Sequence, residues 1–550
     1  MPCGAATRRS LTLLRRLTLL RQTVQLIALV GFVSLVSLTA TSAAQHFAVP
    51  ALAWLPFRLD PLVAVPAILA GTVGLGVVLW GLGALLLALV AGRAFCGWLC
   101  PLGTALDVVR RCTAPLTRRI HRHTDRRPAG WLARLPLLLL TALLAAACLG
   151  LPLIGLVEPM ALAERAAATA IAPWCRNGAE AMREAARPAS DHVPAPGFID
   201  DYRFIGAPVR GGRSGYDLGW ISAVVLAAIL LAELVQPRAW CRWVCPSGAL
   251  LGLVGRWSLL RRLPGRTCGT CRDCVVRCRM GAFTADGTLV PSACTACLSC
   301  VEICPSGAAQ VAPVVAPAAV ETECSRRDLL VAGLTGAALP LIAGTARTVS
   351  GVADPHRIRP PGVAGRSTTD GSGADASEDI FLEACVRCGA CVQACPTSGL
   401  QPVLLADGLS GMFAPRLVPR HGPCEHGCRA CMEVCPTHAI PLLTLADKRR
   451  QRLGLAVHDH RRCLPWSGGG ECRVCWEHCP VPDKAITLKL GRAPNGQAIP
   501  LPGVDADRCV GCGTCEFVCP IEGDAGIRVA DRAAADTVRL RFQPTLGKKT

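Results

Sequence analysis

Acidic residues are scarce in this chain: 39 Asp and Glu stand against 58 Lys and Arg over 550 residues, a formal net charge of +19. No groove-reading motif accompanies that excess, which argues against a nucleic-acid partner. Charge is missing altogether from long stretches. Uncharged apolar runs occupy 24–44, 62–92 and 135–157, and a fourth at 218–237 is broken only by Glu233. Each reaches the roughly 20 residues needed to cross about 30 Å of hydrocarbon as helix, and a buried soluble helix is rarely apolar all round for so long. No small-residue cleavage site followed by a secreted domain ends the first run, so it reads as a span and not as a removed signal. Two well-separated cysteine pairs, the pattern of a structural zinc site, are also absent. A disulfide scaffold belongs to short secreted chains and is excluded by length.

What the chain has instead is cysteine in quartets. Cys268, Cys271, Cys274 and Cys278 form the first, and Cys294, Cys297, Cys300 and Cys304 the second. Cys385, Cys388, Cys391 and Cys395 follow, then Cys424, Cys428, Cys431 and Cys435. Cys463, Cys472, Cys475 and Cys479 make the fifth, and Cys509, Cys512, Cys515 and Cys519 the sixth. Five of the six have proline directly after the fourth cysteine, and the first has Arg279 there. Three thiolates close in sequence wrap one [4Fe-4S] cube, and the fourth ligates the neighbouring cube. By this exchange Cys304 serves the first cluster and Cys278 the second. Six clusters imply electron transfer. Cys424 to Cys428 carries one extra residue, and between Cys463 and Cys472 the segment Leu-Pro-Trp-Ser-Gly-Gly-Gly-Glu must loop out.

The arginines have a simple home. They gather before the first run (Arg8, Arg9, Arg15, Arg16, Arg21), between the second and third (Arg110 to Arg127) and after the fourth (Arg256 to Arg266). This is the positive-inside pattern and puts the N-terminus and the Cys268–Cys304 region in the cytoplasm. Further on, Ser325-Arg326-Arg327-Asp328-Leu329-Leu330 opens an uncharged run rich in Ala and Gly. It reads as a twin-arginine export signal, or as an ordinary fifth span; both carry the C-terminus across the membrane. Export of a folded domain suits cysteines that would scramble in an oxidising compartment. A Gly, Ser, Asp and Pro stretch at 350–378 reads as a flexible linker.

One segment repeats. Arg93-Ala-Phe-Cys-Gly-Trp-Leu-Cys-Pro-Leu-Gly recurs as Arg238-Ala-Trp-Cys-Arg-Trp-Val-Cys-Pro-Ser-Gly, each copy after a run directed inward. Cys96, Cys100, Cys241 and Cys245 therefore reach the same face, where they hold a seventh cluster or a redox-active thiol set, or simply end their helices. Glu233 is a candidate proton acceptor for quinol, since intramembrane carboxylates face cavities or carry protons; the alternative is a helix-end carboxylate paired with Arg93 or Arg238. His46 and Glu158 are weaker choices. Cys3, Cys112, Cys148, Cys175 and Cys324 fit no cluster spacing.

Taken together, residues from about 20 to 310 resemble the NapH/MauN ferredoxin-type membrane proteins, and residues from about 321 to 530 resemble the NapG/MauM twin-arginine ferredoxin-type proteins. The resemblance implies a membrane α-helical bundle, four spans plus a fifth, with α+β ferredoxin-like modules, one of two clusters and one of four. It divides the chain into a basic tail (1–23), a membrane domain (24–245), a cytoplasmic two-cluster domain (246–320), the twin-arginine span and linker (321–379), a periplasmic four-cluster domain (380–535) and a tail (536–550). It also implies a component of a quinol dehydrogenase in the bacterial inner membrane, drawing on the quinol pool and passing electrons to a periplasmic reductase or c-type cytochrome. A maturation or regulatory electron donor for a periplasmic metalloenzyme is the alternative. Within the four-cluster domain, the family implies ligand sharing between the first and fourth quartets and between the second and third.

Overall fold

The computed structural model describes residues 8–44, 57, 59–72, 75–124, 130–186, 216, 218–264, 271, 273–284, 287–304, 309–314, 324–349, 358–363, 373–404, 408–492, 496, 498–532 and 535–542. Cys3, His46 and Cys268 lie outside them. The chain forms two compact units, one of Met1–Val36, Trp54–Ala166 and Ile221–Ile342, the other of Ser37–Ala53, Ala167–Trp220 and Ala343–Thr550.

Long apolar helices build the first unit. Among the described residues two are both long and apolar enough to cross a membrane, Thr18–Ser37 and Trp131–Cys148, while Val77–Ala91 and Gly219–Val235 are apolar but shorter. The four spans expected from sequence are thus found only in part, and the causes are local. The second run is two helices. Asp60 caps Pro61–Leu69 by accepting the Leu62 N–H at 2.8 Å, and Gly71, at φ 64°, turns the chain. Leu75–Ala91 then returns alongside, with Gly81 against Pro61. Gly150, at φ 84°, ends the third run early, just past the helix Gly130–Cys148. The fourth helix has 17 residues, about 26 Å at 1.5 Å per residue.

The paired arginines open a continuous helix, Arg326–Val349, which packs on Gly130–Cys148. Asp328 pairs with Arg134 at 3.1 Å, and Gly336 sits so close to Ala142 that a Cβ would run into its carbonyl. Both contacts advance in the same direction along the two helices, so they are parallel. Strands Leu260–Pro264 and Ala309–Pro313 pair antiparallel and flank the first two cysteine quartets in the sequence.

The second unit is built of short elements around four quartets. The hairpin Leu400–Pro402 with Pro415–Leu417 lies between the Cys385 and Cys424 quartets. Strand Leu455–His458 pairs with Ile527–Ala530 and brackets the last two quartets, with the hairpin Ile486–Arg492 and Ala498–Val504 between them. Phe381, Leu400, Leu417, Met432 and Val529 are fully buried among the loops, so the apolar core is spread thinly and the cysteine sites form much of the interior.

Candidate functional site

All six quartets share one local design. Each third cysteine sits on a one-turn helix: Cys274 on Asp273–Val276, Cys300 on Ser299–Glu302, Cys391 on Ala390–Gln393, Cys431 on Ala430–Glu433, Cys475 on Val474–Glu477 and Cys515 on Thr514–Phe517. In the Cys294, Cys385 and Cys509 quartets both neighbours of the second cysteine are left-handed: Ala296 and Leu298, Arg387 and Gly389, Gly511 and Gly513. Such backbone turns successive N–H groups inward and favours a negative centre. The two quartets with insertions do without that pair.

The ligand sharing implied by family resemblance is corrected by the structure. Cys519 of the last quartet joins Cys463, Cys472 and Cys475 around one shared pocket. Cys479 returns the exchange, joining Cys509, Cys512 and Cys515 around another. The Cys435 thiol acts electrostatically on Cys385 and Cys391, and Cys395 on Cys424, Cys428 and Cys431. Consecutive quartets pair, first with second and third with fourth, because each two-stranded sheet ties together or encloses neighbours in the chain. In the module of the first unit Cys278 stands with Cys294 and Cys300, as ligand exchange requires.

The last two donor sets fit iron–sulfur cubes, since in each four cysteines line one pocket. Backbone N–H groups point at sulfur, from Gly526 to Cys519 at 3.3 Å, Ile440 to Cys435 at 3.4 Å and Ala282 to Cys278 at 3.3 Å. Burial pushes the Cys463, Cys475 and Cys424 thiols up to about 12, so thiolates there need the positive charge of bound iron. At Cys297 burial is outweighed by the Ser299 N–H and hydroxyl, with Arg21 and Arg279, and its thiol falls below the usual range.

The repeated segments come together beneath the two-cluster module. Cys100 and Cys245 are buried, and each lies within electrostatic range of Cys96 and Cys241. The copies exchange arginines. Arg93 donates to the Cys241 carbonyl at 3.2 Å, and its equivalent Arg238 donates to the Cys96 carbonyl at 3.1 Å. In each copy the glycine three residues on gives its N–H to the second thiol, Gly103 to Cys100 and Gly248 to Cys245. The module then closes over them. Cys100 and Cys241 share one apolar core with Cys278 and Cys294, Trp98 donates to the Ala296 carbonyl at 3.0 Å, and Gly97 leaves room for the Thr295 carbonyl.

Sequence reasoning missed the residue that ties this region together. Asp107, 4% exposed, pairs with Arg238 at 3.0 Å and Arg279 at 2.8 Å, and accepts from Gln25 at 3.0 Å. Arg279 occupies the position where the other quartets have proline, and that substitution was the one available signal. Glu233 accepts the Arg238 backbone N–H at 2.6 Å through Oε2, while Oε1 has no partner. It meets Arg238 through the main chain, capping its left-handed backbone at φ 51°.

Known proteins place these sites. Profiles described as 4Fe-4S binding domains match residues 72–123 with 218–267, residues 379–400 and residues 501–526, and a NosR profile matches 266–316. The methylamine utilization ferredoxin-type protein MauM of Methylorubrum extorquens is 36% identical over 213 residues, 38% of this chain and 90% of that protein. The chain belongs to the MauM/NapG ferredoxin-type family. The ferredoxin-type protein NapG of Escherichia coli is 43% identical over 193 residues, 34% of this chain and 75% of NapG. MauN of Methylorubrum extorquens is 29% identical over 223 residues, 40% of this chain and 59% of MauN. This membership makes the chain an iron–sulfur electron-transfer protein of the NapG/MauM/MauN type. No solved structure matches it.

Proposed function

We propose that this chain is an inner-membrane electron conduit, oxidising quinol at its membrane half and delivering electrons to a periplasmic reductase or c-type cytochrome. The observation that carries this reading is the four-cysteine site of the repeated segments, held by exchanged arginines directly under the two-cluster module. A seventh iron–sulfur centre on Cys96, Cys100, Cys241 and Cys245 belongs to the proposal; when bound, it supplies one-electron exchange. Quinol oxidation releases two electrons and two protons, so a proton acceptor is also needed. Glu233, buried with one free carboxylate oxygen, is our candidate. The docking of Arg326–Val349 parallel to Gly130–Cys148 supports retention of the twin-arginine helix as an anchor, with the four-cluster domain outside.

Anaerobic reduction of the membrane-bound protein by a quinol analogue tests this. The wild type gains the paramagnetic signals of reduced clusters, whereas Cys96→Ala and Cys241→Ala fall by at least tenfold in rate. No cluster reduction by quinol in the wild type favours a maturation donor fed from elsewhere.

A further inference from the structure

The two cavities of the last quartet pair are near-copies with one difference. Both are bounded by three cysteines of one quartet, the fourth cysteine of the other, and the proline after it. Both touch the same face of the strand Leu455–His458, because residues two apart point the same way. Ala456 and its cross-strand partner Val529 meet the cavity of Cys509, Cys512, Cys515 and Cys479. His458 and its partner Ile527 meet the cavity of Cys463, Cys472, Cys475 and Cys519. Apart from cysteine, the first of these cavities is walled only by apolar side chains and glycine. In the second, His458 is the sole polar side chain besides cysteine.

His458 is 8% exposed, and neither ring nitrogen has a hydrogen-bond partner. Buried polar groups are nearly always satisfied, so an orphan beside a cavity calls for an acceptor inside it. An imidazole carries at least one N–H donor whether neutral or protonated. The irregular quartet encloses the same place. Leu464 and Pro465 of the insertion wall the cavity, Trp466 stacks on His460 with ring centroids 3.9 Å apart, and its indole donates to the Pro502 carbonyl at 3.0 Å.

We propose that His458 donates its ring N–H to the cluster held by Cys463, Cys472, Cys475 and Cys519, and sets that cluster at a higher reduction potential than its neighbour. Hydrogen bonds to cluster sulfur favour the reduced, more negative state. The pair is thereby polarised, with the electron favoured on the His458 side. This deepens the reading of outward electron flow, but it needs only the clusters and not quinol as donor, so either can fail without the other.

The test is a redox titration of the full chain, assembled anaerobically and followed by paramagnetic resonance. In His458→Leu one midpoint moves to more negative potential and the others stay, with iron content unchanged; His458→Gln, which keeps an N–H donor, recovers part of the shift. Wild type labelled with ¹⁵N-histidine shows a nitrogen coupling on one reduced cluster, and both variants lack it. Unchanged midpoints in an iron-replete His458→Leu overturn the assignment. If that variant loses its iron, the wild-type coupling decides, its presence supporting the assignment and its absence overturning it.

Discussion

Asp107 does at a single side chain what the missing proline of the first quartet does not. Burial alone would raise its carboxyl pKa, but Arg238 and Arg279 overcome that and hold it below the usual carboxylate range. A depressed carboxylate contributes stability that is fully present above about pH 3.9 and is lost only as pH falls below it. The contact between module and helices therefore survives mild acidification, which limited proteolysis at pH 5 would show as an unchanged pattern. Asp107→Asn keeps the shape but leaves two arginines uncompensated, and should cost about 3–5 kcal/mol, the range for breaking a buried pair. Thermal unfolding in detergent measures that cost. Arg279→Pro restores the pattern of the other quartets yet should loosen the module. The carboxylate's importance was not legible in the sequence, since its partners are far away along the chain. The opposite holds for Glu233. It stood out in an apolar run, but whether it meets a guanidinium or a main-chain N–H depends on the left-handed turn at Arg238.

At the scale of elements, spacing translated directly into loops. Cysteines three apart gave the same one-turn helix six times, because three thiols can face one centre only if the chain winds that tightly. Gly513 makes the cost concrete. It sits at φ 84° and a Cβ would meet Pro419. Gly513→Ala should lose roughly 1–2 kcal/mol from backbone conformation alone and lower iron content by one cluster. Which quartets exchange their fourth cysteine was not legible from spacing, since every regular quartet offers the same geometry; strand pairing decides it. The second apolar run misled for a related reason. Hydropathy registers no break at Gly71-Thr72, yet one left-handed glycine folds the run into two helices.

For the whole molecule, the proposed reading gives one topology, which reporter fusions can check. A reporter joined after Asp379 should be active only in the periplasm; activity in the cytoplasm would reverse the orientation. Iron per chain should approach about 24 for six cubes, or about 28 if the four-cysteine site of the repeat is filled. The helix Arg326–Val349 offers a further handle. Gly336→Leu would force it away from Ala142, and a Thr141→Cys, Gly333→Cys pair that forms a disulfide in the parent should then fail to do so.

The exchanged arginines reach further than the site they support. Neither copy of the repeat is complete alone, since each borrows the other's guanidinium to satisfy its own cysteine carbonyl. Reciprocal borrowing is the signature of an isologous, twofold contact. Losing either arginine should therefore disturb both cysteine pairs and not one alone.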